Sequence, residues 1–372
     1  METKKRFEKQ ASSNQQRFWR LIQLETAFSC TLSCIMCPWK DERKRMKHNG
    51  LMPQAVWDAL RPYLDQIASI DFSGGGEPLL HPDLIPWMTE AKSHGCQTGL
   101  LTNAVLLTPK KTQGLLDSGI DWICFSLDGA ERATFESIRI HADFTSVCQN
   151  IAGFCRSAQG TGIKRMINMV IMNQNRDQLE AMVCLAAELG VDQVNFKQCD
   201  VIRGELGKGL GMFATQSSRE IRGLEKALGQ ARKRGKKLGI QTRAFSFTPE
   251  EQPVCVQDPR DSLFIRYDGL AAPCISLAYG GPTSFLGKDA FMPALGFGSL
   301  PNQTLSEIVS SDRWMQFSKR LEDRIQAYEK GFFSVDLSEP SLIKLQAANQ
   351  ASIDAMPPAP EGCRVCHYLY GI

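Results

Sequence analysis

Three thiols stand within eight residues, at Cys30, Cys34 and Cys37. Spaced C-x3-C-x2-C on one short loop, they can converge on a single metal centre. Iron–sulfur cubes that only carry electrons are held by four cysteines, so three suit a cube that leaves one iron open to another ligand. A structural zinc site with its fourth ligand elsewhere in the chain is the plain alternative. A second set is dispersed: Cys255, Cys274, Cys363 and Cys366 occupy spaced positions in the C-terminal third. Four thiolates can complete a cluster or a zinc ion and leave no open position. Cys96, Cys124, Cys148, Cys155, Cys184 and Cys199 are isolated and read as small buried hydrophobes.

A metal loop needs something rigid behind it. Residues 18–24, just before Cys30, are apolar-rich and read as a buried strand that delivers the loop. Further strands are expected over residues 69–72, 97–101, 122–127, 165–172 and 193–196. Helices are expected over 53–67, 82–94, 109–118, 144–157 and 176–189. This alternation predicts a parallel sheet with right-handed crossovers. Six strands are fewer than the eight of a closed β/α barrel, and sites in such folds gather at the C-terminal strand ends.

The residues that leave each strand end are therefore the ones to read for chemistry. After the second strand comes Ser73-Gly74-Gly75-Gly76-Glu77-Pro78-Leu79-Leu80-His81-Pro82, where missing Cβ atoms let backbone groups approach a ligand. After the third comes Leu101-Thr102-Asn103-Ala104, and after the fourth Phe125-Ser126-Leu127-Asp128-Gly129. Either of the latter two is also compatible with an ordinary turn built on a short polar side chain.

The cysteine spacing, its place after a strand, and the Gly-Gly-Glu-Pro turn on the next strand resemble the radical S-adenosylmethionine (SAM) superfamily. The resemblance implies an α/β fold, an open partial (β/α)6 barrel. It also implies a [4Fe-4S] cluster held by Cys30, Cys34 and Cys37, with the methionyl end of SAM on the fourth iron. In that family an electron from the cluster cleaves SAM, and a 5′-deoxyadenosyl radical abstracts hydrogen from the substrate. By the same likeness Gly75, Gly76 and Glu77 contact SAM's amino group, and Ser126 its ribose or carboxylate, with Asp128 nearby. Asn103 would face the pocket, and Met36 would cover the adenine where many members carry an aromatic residue. Ala104 stands where glycine is usual.

Thirteen residues separate Cys255 from Gly269 and four separate Gly269 from Cys274, across a strand–turn–strand pattern. This resembles the opening of SPASM and Twitch extensions. The resemblance implies that Cys255, Cys274, Cys363 and Cys366 hold one auxiliary [4Fe-4S] cluster in a small α+β extension. The implied organisation is a tail over 1–17, a core over 18–215, a connecting helix and strand over 216–254 and the extension over 255–372. Residues 330–356 are expected either to cap the barrel mouth or to form a surface insertion without function. Asp200, Arg203 and Glu205, after the sixth strand, read as an exposed connector.

Composition is that of an ordinary globular chain: 43% hydrophobic, 22% charged, net charge +3 over 372 residues. No long basic run offers a nucleic-acid footprint, and the basic cluster at 40–47, interleaved with acids, reads as a solvated loop. No apolar stretch reaches the length of a membrane span, and residues 1–16 are charged and polar, unlike a secretory signal. A cytoplasmic enzyme is expected, with a flavodoxin- or ferredoxin-type electron donor and neither nucleic acid nor membrane as partner. The expected reaction is an oxidation or rearrangement of a small molecule. A maturase acting on a ribosomally made peptide or protein residue is the alternative, and a zinc-binding structural protein the different class. Peptide maturases often carry an N-terminal leader-binding domain, and only 17 residues precede the first expected strand, which favours the small molecule.

Overall fold

The computed structural model describes residues 17–45, 50–199, 209–211, 217–336, 338 and 341–372. The connector bearing Asp200, Arg203 and Glu205 lies outside the described residues. Strands β1 (Leu21–Leu24), β2 (Ser69–Asp71), β3 (Gln97–Thr102), β4 (Trp122–Ser126), β5 (Lys164–Ile171) and β6 (Gln193–Gln198) lie side by side in chain order. All of these pairings are parallel.

The sheet does not stop at six. β7 (Gln241–Ala244) adds to β6 in parallel, and β8 (Ser262–Ile265) adds to the free side of β1, also in parallel. β9 (Leu270–Ala272) and β12 (Gly298–Ser299) continue that edge antiparallel. In the resulting order, β12-β9-β8-β1 through β7, the two ends do not pair among the described residues. The sheet is a partial barrel, and the expected extension grows from its first edge. A separate hairpin, β10 (Gly281–Phe285) and β11 (Lys288–Met292), was not legible in the sequence.

Alternation along the strands sorts the two faces. Ile22, Ile70, Leu100, Ile123, Ile167 and Val194 are fully buried on the side covered by helices. Gln23, Asp71, Leu101, Ser126, Asn168 and Lys197 turn to the cavity side, as a period of two requires. The covering helices begin where local chemistry supplies a cap. The Thr108 side chain accepts from Lys111 N ahead of Pro109, Asp143 accepts from Ser146 N, and Ser217 forms a reciprocal capping box with Glu220. The helix expected over 53–67 changes after Leu60 into a 3-10 turn, Arg61–Gln66, with Pro62 in its first turn, because proline cannot extend the α-helical ladder. A helix at Arg132–Ile138 was not expected.

The stretch expected to cap the barrel instead forms an outer helical pair. Leu342–Ala355 packs on Asp312–Phe332, and at their contact Gly331 comes so close to Ala351 O that a Cβ there would lie 2.6 Å away. None of the described residues within 330–356 walls either of the cavities at the two cysteine sets. No described helix is long and apolar enough to cross a membrane.

Candidate active site

The cysteine loop leaves β1 and is tied down on three sides. Ser33 N and Ile35 N donate to Ile140 O and Ile138 O, Phe28 N donates to Gly50 O, and Glu77 N donates to Ser29 O at 2.8 Å. The helix missed in the sequence thus ends where it anchors the loop. Cys30, Cys34 and Cys37 wall one cavity of about 290 Å³ together with Met36, Gly74, Gly75, Gly76, Glu77, Asn103 and Ser126. Seven further positions singled out in the sequence therefore meet the three thiols.

Their local contacts differ. Gly76 is required by packing: a Cβ there would lie 2.3 Å from Ser29 O and 2.5 Å from Ala27 O. The turn is pressed against the backbone that precedes Cys30, so glycine serves the loop-to-turn contact before it serves any ligand. Glu77 is buried, and its carboxylate accepts Thr102 Oγ1 (2.7 Å), Asn103 N (2.8 Å) and Leu79 N (3.1 Å). Those three donors fix the end of β3 beside the turn. Asn103 Nδ2 approaches Thr31 Oγ1 at 3.1 Å and Cys30 Sγ at 3.7 Å. Asp128 is not on the cavity wall: it is fully buried behind it, paired with Arg139 at 2.6 Å and accepting Val170 N at 2.7 Å.

Two arginines complete the thiol environment, and the sequence reading missed both. Arg139 reaches Cys34 Sγ at 3.9 Å. Arg43 reaches Cys37 Sγ at 3.2 Å and also donates to Gly75 O. The basic cluster at 40–47 is therefore not simply a solvated loop. It begins as a helix, Lys40–Arg45, that turns Arg43 inward. Burial pushes the Cys34 thiol up to about 11, with Arg139 opposing. A thiol so enclosed becomes a thiolate ligand when a metal supplies the positive charge.

The second set assembles from distant segments. Cys255 follows β7, Cys274 precedes the short helix Ile275–Tyr279, Cys363 lies within the 3-10 turn Glu361–Val365, and Cys366 separates it from the next, His367–Tyr370. All four wall a cavity of about 250 Å³. Burial pushes the Cys363 thiol well up, reinforced by the neighbouring Cys274, Cys366 and Cys255. Arg324 holds the framework and was not foreseen. It is 1% exposed, and it donates to Glu251 Oε1 (2.7 Å), Gln252 O (3.0 Å), Pro253 O (3.1 Å) and Pro357 O. It thereby staples the segment before Cys255 and the segment before Cys363 to one helix.

The cavities adjoin, sharing Lys197, Ile275, Ser276 and Tyr368. Of the cysteines read as structural, Cys199 also reaches the first cavity. Among the described residues no three Cys, His, Asp or Glu side chains are gathered tightly enough for a single ion. Three or four thiols spread around a shared space suit a cube of irons, whose ligands stand farther apart than those of one tetrahedral ion.

Comparison with known proteins agrees. The radical SAM superfamily profile matches residues 24–186, and that of an iron–sulfur cluster-binding domain, SPASM, matches residues 255–330. The chain is 24% identical over 304 residues to a tungsten-containing aldehyde ferredoxin oxidoreductase cofactor-modifying protein from Pyrococcus furiosus, covering 80% of this chain and 83% of that one. It is 31% identical over 177 residues to PqqA peptide cyclase from Gluconobacter oxydans, 46% of each chain. SuiB from Streptococcus suis, solved with S-adenosylmethionine bound, superposes with a TM-score of 0.60 at 15% identity, over 85% of this chain and 71% of that one. SuiB has also been solved with its precursor peptide SuiA. The two domains imply SAM and [4Fe-4S] clusters, an auxiliary one included. The chain belongs to the radical SAM superfamily and carries an SPASM-type iron–sulfur extension.

Proposed function

We propose that this enzyme modifies a peptide, held where the two cavities adjoin, with Cys30, Cys34 and Cys37 as ligands of the SAM-binding cluster. Cys255, Cys274, Cys363 and Cys366 are the proposed ligands of the auxiliary one. The observation that carries the reading is the shared wall of Lys197, Ile275, Ser276 and Tyr368 between two cavities, each lined by one cysteine set. A substrate there lies within reach of both centres. When bound, SAM and its cluster supply the 5′-deoxyadenosyl radical that removes hydrogen from the substrate, the chemistry of the family.

The chain's own residues bind, orient and exclude water. Gly75 and Gly76 present backbone to SAM's methionyl end, and Met36 and Val170 offer apolar cover to its adenine. Ser126, on the same wall, offers a hydroxyl to SAM's ribose. Asp128 acts one step back, by fixing Arg139 against Cys34. Lys197 is the charged group on the shared wall and is placed to meet a polar group of the substrate.

A peptide is favoured over a small molecule by the relatives named PqqA peptide cyclase and SuiB with its precursor peptide. The small-molecule reading keeps one observation of its own. The relative similar over most of both chains is named a cofactor-modifying protein. Peptides encoded beside the gene, synthesised with deuterated carbon positions, separate the two. Stimulated SAM cleavage with deuterium carried into 5′-deoxyadenosine supports a peptide; cleavage that none of them stimulates, with no deuterium transfer, rules it out.

A further inference from the structure

Glu25 follows β1 directly and is fully buried, yet it belongs to none of the motifs that brought the site to light. Its carboxylate joins three pieces of the molecule. Gly75 N donates to Oε1 at 2.6 Å, Tyr279 Oη donates to Oε2 at 2.5 Å, and Tyr267 N donates to Oε2 at 3.2 Å. Gly75 is in the glycine turn, whereas Tyr267 and Tyr279 come from the hairpin turn and short helix that flank Cys274. Position 74 bears the imprint of the same contact: a Cβ there would lie 2.3 Å from Glu25 Cγ.

The two tyrosines grip the cysteine loop as well. Phe28 stacks on Tyr267 with ring centres 5.6 Å apart and planes at 4°, and on Tyr279 at 4.8 Å and 13°. Trp39, just past Cys37, meets Tyr279 at 4.9 Å. Arg266 lies over the Tyr279 ring at 5.3 Å and donates to Ala278 O at 3.2 Å, which adds a third contact to the ring. Hydrogen bonds to a buried carboxylate are strong and directional, and stacked rings resist sliding. Between them, the extension has hold of both motifs of the SAM cavity, to whose wall it also lends Ile275, Ser276 and Tyr368.

We propose that Glu25 and Tyr279 are positioning residues through which the SPASM-type extension sets the Gly74–Gly76 turn in the conformation that receives SAM. The proposal rests on the reading of that turn as the methionyl-binding element. Occupancy of the extension and affinity for SAM are then coupled through one carboxylate. Tyr279→Phe keeps the ring stack and removes the hydroxyl; Glu25→Gln keeps the volume, and its amide opposes the Tyr267 N–H.

The test uses the reconstituted full-length enzyme, with SAM as the probe. Equilibrium SAM binding, iron content, thermal melting and hydrogen exchange at the Gly75 amide are measured in wild type, each variant and the double variant. The expected result is SAM affinity about tenfold weaker in Tyr279→Phe and faster exchange at Gly75 without SAM, with iron content unchanged and melting lowered by no more than the one lost hydrogen bond accounts for. The double variant should be no worse than the poorer single variant, as for one shared contact. Unchanged SAM affinity overturns the proposal, and so does a loss that tracks iron content and melting. If Tyr279→Phe does not load its clusters, Glu25→Gln is held to the same outcomes. Wild-type protein that binds no SAM defeats the reading of the turn itself, which is a different failure from a variant that binds as well as wild type.

Discussion

The two cysteine centres are built in opposite ways. The first draws its three thiols from one eight-residue loop and surrounds them with polar partners, Arg43, Arg139 and Asn103. The second gathers four thiols from segments more than a hundred residues apart and walls them with Val256, Leu277, Met292, Leu321 and Leu369. A local loop with an incomplete ligand set leaves coordination for a cofactor, and cations beside its sulfurs ease their negative charge. A dispersed set with four thiols suits a centre that nothing else must ligate. On the proposed assignment, exchange with SAM falls to the first centre and a closed role to the second.

The largest expected effect separates them outright. A Cys30/Cys34/Cys37→Ala triple variant should lose SAM cleavage to background and about four irons per chain. Cys363/Cys366→Ala should also lose about four irons yet still cleave SAM, since neither residue touches the first cavity. Iron and sulfide analysis with 5′-deoxyadenosine assay decides this. If both variants lose cleavage equally, the division of labour is wrong.

A smaller effect tests how the dispersed set is held. Arg324→Met strands four acceptors, among them the Glu251 carboxylate and three backbone carbonyls. It should cost about 3 kcal/mol in denaturant melts, with iron lost selectively from the auxiliary centre. Iron loss shared by both centres would show that the extension and core are not separable in this respect.

The smallest effect concerns the link between the centres. Burial raises the Glu25 carboxyl to about 7, opposed by the Tyr279 hydroxyl, the Gly75 and Tyr267 amides and the Arg266 charge. A carboxyl raised in the fold contributes stability in full below its ordinary range near 4.5 and loses it as pH rises through about 7. From pH 5 to 8, wild type should therefore lose about 2.5 kcal/mol relative to Glu25→Gln. Parallel pH profiles in urea unfolding would place the ionisation elsewhere.

Much of this site was legible in the chain. The spacing of Cys30, Cys34 and Cys37 and the run from Gly74 to Leu80 carry their meaning locally, and alternating periodicity predicted β1 to β6. Charge was harder to read. Arg43 looked like part of a solvated cluster because a charge run does not say which of its members a helix turns inward. Arg139 and Arg324 carry no local signal in the sequence: Arg139 pairs with the nearby Asp128 but reaches Cys34 105 positions away, and the partners of Arg324 lie about 30 to 70 positions away.

By itself, then, the sequence determined the three-cysteine loop, the turn that lies beside it and the parallel order of the core strands, because each depends on neighbours within a few residues or on a strand's period of two. Only the tertiary structure decided that β8 closes on β1, that the four distant cysteines share one cavity and that Glu25 ties the extension to the glycine turn. Those contacts join positions up to 254 residues apart. Contacts at that range depend on which faces are left to bury once the sheet has formed, and no local pattern of residues encodes that.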